Sequence, residues 1–74
     1  MSQAPAVPPG RYRHYKGNFY EVLGVARHSE TDEELVVYRA LYGEGGLWVR
    51  PKAMFLEEVL QEGRLVARFQ RVLE

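Results

Sequence analysis

The chain has no cysteine. That one absence removes disulfides, a catalytic thiol, a redox pair and any thiolate zinc site, so stability has to come from packing, helped at most by oligomerisation. Serine is scarce as well. Ser2 lies near the amino terminus and Ser29 in the polar stretch SETDE, and neither offers the rigidly presented hydroxyl that a Ser-His-Asp hydrolase needs. No apolar run approaches the roughly 18 residues of a membrane-spanning helix. The opening MSQAPAVPP carries three prolines and no positive side chain, which fits neither a signal nor a transit peptide. Residues 1–9 therefore read as a flexible tail, and the chain as cytoplasmic, with no membrane partner. There is also no excess of either charge. Ten Lys plus Arg balance ten Asp plus Glu, which argues against gripping nucleic acid by bulk electrostatics.

What is present suits one small domain, placed at residues 10–72. Of 74 residues 46% are hydrophobic and 27% charged, the balance of a globular chain too short for two cores. Most segments read as strands divided by turn residues. GRYRHY (10–15) alternates, and Lys16-Gly17-Asn18 connects it to a second run, Phe19 to His28, as a hairpin. In that run Tyr20, Val22, Gly24 and Ala26 carry no charge and are taken as the core side, with Gly24 marking a sharp bend or bulge. After SETDE comes a third strand, ELVVYRALY (34–42), then the glycine-rich GEGG and a short fourth strand, Leu47 to Arg50. Pro51 ends it. A helical turn is expected at Lys52 to Phe55 and a strand after it, the alternative being a two-turn helix over Met54 to Glu62 in an α+β domain. Arg64 to Val72 reads as the closing strand. Five short antiparallel strands must hide both their edges and an apolar face, which an all-β, SH3-like (Sm-like variant) five-stranded barrel with one helical turn achieves. Its expected core is Tyr20, Val22, Val36 or Val37, Leu41, Leu47, Val49, Phe55 and Phe69, with Tyr38 and Trp48 at least half inside.

The long string YRHYKGNFYEVLGVARHSETDEELVVYRALYGEGGLWVRP, with the MF that follows, resembles the bacterial domain-of-unknown-function family 1653. The likeness runs from Gly10 to Phe69. It implies a compact β-domain similar to SH3-like or Sm-like barrels, without an assigned activity. The proline-rich start lacks the helix with which Sm proteins begin.

Catalytic chemistry is not visible in the residues. His14 and His28 lie on different strands and are not directly opposite, so no metal site is expected, and no cofactor either. Neighbouring carboxylates, Glu33-Glu34 and Glu57-Glu58, point to opposite faces of a strand. The charge is blocky, and opposite blocks pair across strands in the plainest reading. A sharper one gathers Arg13, His14, Tyr15, Tyr38, Arg39, Tyr42, Trp48 and Arg50 into an aromatic and arginine face that binds a protein or peptide partner. An alternative is a module for RNA or single-stranded nucleic acid, whose bases stack on the rings; a minority reading is a small hydrolase using His14, Glu21 and Arg39. Monomer or weak homo-oligomer is expected. Arg39 interrupts the most apolar strand, on the side of Leu35, Val37 and Leu41 and opposite Tyr38, and is expected to form a buried pair with Glu21.

Overall fold

In the computed structural model, which describes residues 7–73, the alternating segments become strands β1 Gly10–His14, β2 Phe19–Arg27, β3 Glu34–Ala40, β4 Leu47–Pro51, β5 Glu58–Gln61, β6 Arg64–Ala67 and β7 Phe69–Arg71, with the helical turn α1 Lys52–Phe55 between β4 and β5. Every pairing is antiparallel. Five strands form one sheet in the order β4-β3-β2-β1-β7, and β5 and β6 form a separate hairpin. The domain is all-β, but the expected barrel is not closed by hydrogen bonds: the sheet ends in two edges, β4 and β7. Side chains span the gap instead. Phe55 of α1 stacks on Phe69 of β7 with centroids 4.2 Å apart and planes 4° apart, and the Arg50 guanidinium lies over the Phe69 ring at 5.6 Å.

The turns follow from their residues. Gly17 N–H donates to His14 O at 2.7 Å and His14 N–H to Asn18 O at 2.8 Å, which closes the first hairpin. The bend expected at Gly24 is a bulge: Val22 pairs with Tyr38, but Gly24 pairs with Val37, leaving one extra residue in β2. An extra residue reverses the inside-outside alternation, so Ala26, expected inside, is exposed. Pro51 holds φ at −52° and leads into α1, whose Leu56 N–H donates to Lys52 O at 3.0 Å. No two-turn helix follows, because the chain enters β5. The β5–β6 turn places Glu62 and Gly63 at φ 52° and 79°, the mirror-image geometry favoured in two-residue hairpins.

The single closing strand expected over 64–72 is two strands. At Arg68 the chain changes partner: its N–H donates to Glu57 O at 3.0 Å, while its carbonyl accepts from Tyr15 N–H at 2.9 Å. β6 thus belongs to the hairpin and β7 to the sheet.

The core is Val7, Tyr12, Val22, Val36, Tyr38, Ala40, Phe55 and Phe69. Val36 and not Val37 is the inward residue. Leu41, Leu47 and Val49, expected inside, are exposed; Leu47 and Val49 pair with Arg39 and Val37 on the outer face of an edge strand, where no second layer of the described residues covers them. Of the nine-residue tail, residues 1–6 lie outside the described residues. Val7 is buried, and Pro8 O accepts the Tyr12 hydroxyl at 2.8 Å, which explains how Tyr12 enters the core.

Candidate binding cleft

Strand register sorts the candidate residues onto two faces. Tyr38 pairs with Trp48, Val36 with Arg50 and Ala40 with Tyr20, and directly paired residues share a face, so Tyr20, Tyr38, Trp48 and Arg50 stand on the inner, core-bearing side. Arg39 pairs with Glu21 on one side and Leu47 on the other, and Glu21 in turn with Arg11. That row lies on the outer face. Arg13 pairs with Phe19 and is exposed outward as well. Tyr15, just past β1, packs its ring 4.7 Å from His14, with the Lys16 ammonium 5.9 Å away. The single aromatic and arginine face expected from sequence is therefore divided: Tyr38, Tyr42, Trp48 and Arg50 come together, His14 meets their neighbour Tyr20 at 6.2 Å with Tyr15 packed against His14, and Arg13 and Arg39 do not join.

At the inner face near β4 is a cleft of about 220 Å³ lined by Tyr20, Tyr38, Tyr42, Trp48 and Arg50. Tyr20 is its hinge. The ring sits 5.4 Å from Tyr38 and 5.6 Å from Tyr42, both edge to face, and its hydroxyl shares a 2.9 Å hydrogen bond with that of Tyr42. Burial, then the Tyr42 bond, pushes its pKa up to about 12, so this hydroxyl stays protonated and neutral. Sequence reasoning places Tyr20 in the core alone; its rim role depends on Tyr42, which the turn brings back 22 residues later. Trp48, expected half inside, is 58% exposed. Arg50 Nε donates to the Tyr38 hydroxyl at 3.3 Å, and among the described residues no carboxylate lies within ion-pair distance of it.

Behind the cleft, His14 meets Phe69 edge-on at 4.9 Å. Its Nδ1 accepts from Lys16 N–H at 3.2 Å, which leaves Nε2 to carry the proton of the neutral ring. Burial lowers its pKa, and Arg68, Arg50 and Lys16 lower it further, so the imidazole is held neutral. Elsewhere three cations pair with carboxylates: Arg68 with Glu57 at 2.9 Å, Lys52 with Glu34 at 3.4 Å and Arg27 with Asp32 at 3.3 Å. The expected Arg39–Glu21 pair forms at 2.8 Å, but both side chains are over 40% exposed, at 47% and 41%. It is a surface pair and not the buried one expected from the strand's apolar neighbours.

A larger hollow, about 520 Å³, is lined by residues that include Gly10, Glu21, Arg71 and Leu73. No aromatic ring lines it, Glu21 is held by Arg39 and Arg71 donates to Pro9 O, so its size is a weaker guide than the ring-lined cleft. The hydrolase trio does not assemble, since Glu21 and Arg39 hold each other outside while His14 packs inside. His28 is a loop organiser whose Nδ1 accepts from Glu30 N–H at 3.0 Å. Among the described residues no three His, Asp or Glu side chains could jointly hold a metal, and no helix is long and apolar enough to cross a membrane.

The family model described as a protein of unknown function, DUF1653, matches residues 10–71. The chain belongs to the DUF1653 family. A solved crystal structure of a DUF1653 protein from Bordetella bronchiseptica is similar to it at 43% identity and a TM-score of 0.82, covering 89% of this chain and 87% of that one. No functionally curated protein matches the chain. The sheet, the helical turn and the cleft all fall within the matched residues.

Proposed function

We propose that this DUF1653 domain is a binding module of SH3-like kind that takes a short extended peptide segment of a protein partner in the Tyr20–Tyr38–Tyr42–Trp48 cleft. One observation carries the reading: four aromatic rings line an open cleft beside an arginine that has no carboxylate partner among the described residues. Rigid rings offer contact area at little entropic cost, and a bent sheet with aromatic grooves is how SH3-like modules hold extended, proline-containing segments. Arg50 adds a preference. Its guanidinium, oriented by Tyr38, suits a carboxylate on the peptide, so the favoured ligand joins an apolar or proline residue to an Asp or Glu. Nucleic acid is the less favoured ligand because the net charge is zero and three of the other arginines, Arg27, Arg39 and Arg68, already hold carboxylates.

Trp48 fluorescence tests the reading. Short peptides pairing proline with Asp or Glu should quench or shift it saturably, and lysine in place of the acidic residue should weaken binding. Oligonucleotide binding that collapses steeply with added salt, with every peptide silent, would replace this reading with the nucleic-acid one.

A further inference from the structure

Strand β4 is an edge of the sheet, and its first three residues, Leu47, Trp48 and Val49, are 64%, 58% and 59% exposed. Natural sheet edges are usually guarded by charge, proline or a bulge against pairing with another chain. Here the guards come late, as Arg50 and Pro51 at the strand's end. Ala40 N–H donates to Gly46 O at 3.1 Å, and this pair continues the β3–β4 register. By the alternation of an antiparallel ladder, Trp48 and Arg50 then turn their backbone groups toward β3, while Leu47 and Val49 turn N–H and C=O outward. Pro51 also falls on the outward side, where its missing N–H costs no bond within the sheet.

We propose that β4 pairs antiparallel with β4 of a second copy of this chain about a two-fold axis at Trp48, setting Leu47 against the partner's Val49 and Trp48 against the partner's Trp48. This register alone pairs only residues that have both backbone groups to give, forming two complete hydrogen-bonded rings. An axis at Val49 sets Leu47 against the partner's Pro51 and loses a bond on each side. An axis at Leu47 sets Val49 against the partner's Gly45, whose φ of 68° is not extended. In the Trp48 register the indoles meet at a non-hydrogen-bonded position, where side chains approach most closely and aromatic pairs contribute most. Charge permits the pairing: Arg50 faces the partner's Gly46, and copies of zero net charge do not repel at long range. Three apolar side chains per copy make a small interface, which belongs to the weak, concentration-dependent class. The partner's Trp48 then lies along the mouth of the cleft. The pairing stands independently of what the cleft binds.

Sedimentation or light scattering over a wide concentration range tests it, the mass rising from the 8.6 kDa of one chain toward twice that value. Val49→Pro removes only an outward N–H, so it should keep the circular dichroism spectrum of the wild type and remain monomeric. The register has its own readout, which also serves if the proline variant does not fold. In a chain without cysteine, Trp48→Cys should form a disulfide dimer on mild oxidation much faster than Leu47→Cys, whose twin is offset along the strand. A mass of one chain at every concentration overturns the proposal, and so does cross-linking at Leu47→Cys as fast as at Trp48→Cys.

Discussion

At its β7 edge the sheet ends in three residues, with Phe69 buried against Phe55 and the strand tied to the β1 segment at both its ends by Tyr15 N–H to Arg68 O and Val72 N–H to Arg11 O. At its β4 edge a strand of five residues leaves Leu47, Trp48 and Val49 open to water. The rings at the first edge meet one another in the core; the rings at the second line a cleft. The comparison teaches that this small domain places its packing energy at one end of the sheet and its recognition surface at the other, joined by Tyr38, which touches Phe55, Phe69 and Tyr20 together.

The largest expected effect breaks the packed edge. Phe69→Ala or Phe55→Ala should cost roughly 3 to 5 kcal/mol, close to the whole stability of about 5 kcal/mol at the lower end for small domains, and thermal melting should find either variant largely unfolded. Trp48→Ala on dilute protein should change stability by no more than about 0.5 kcal/mol, as surface substitutions do, while abolishing peptide binding. Equal destabilisation at Phe69 and Trp48 would erase the distinction between the edges.

The outer face should be nearly silent. An exposed ion pair contributes roughly 0 to 1 kcal/mol, so Arg39→Met should shift denaturant midpoints only slightly, and a double-mutant cycle with Glu21→Leu should give a coupling energy of that same small size. A cycle value of about 3 kcal/mol would mean that the pair is desolvated.

The smallest effect is a pH slope. The His14 pKa lies below its ordinary 6.5 in the fold, so between the folded and unfolded values the unfolded chain binds the extra proton and stability falls as pH falls. Stability should be fully present above about 6.5 and drain away below it through the folded pKa, as read by melting temperature against pH. His14→Phe should flatten that part of the profile.

Strand positions are legible in the residues because alternation, Gly-Asn and Gly-Gly turns and Pro51 are local signals. The Lys52–Phe55 turn and the Glu21–Arg39 contact follow from them. Which face is covered is not local. Leu41, Leu47 and Val49 are as apolar as any core residue, and they stand exposed because no layer of the described residues lies over the outer face. The bulge after Val22 misplaces Ala26 by a single inserted residue. Arg64 to Val72 contains no glycine or proline to divide it, yet Arg68 hands the chain from β5 to β1, a switch visible only once Glu57 and Tyr15 are in place. Four of the eight candidate site residues converge because Tyr38, Trp48 and Arg50 share a register and Tyr42 folds back on Tyr20. Arg13 and Arg39 separate from them because their parity is opposite.

The most direct test of the division between packing and recognition is an amide-and-indole NMR spectrum followed while an acidic, proline-containing peptide is added. Shifts should gather at Tyr20, Tyr38, Tyr42, the Trp48 indole and Arg50, with Val22, Val36 and the outer Arg11–Glu21–Arg39 row unmoved. Shifts centred on that outer row, with the Trp48 indole unchanged at saturation, would contradict the account.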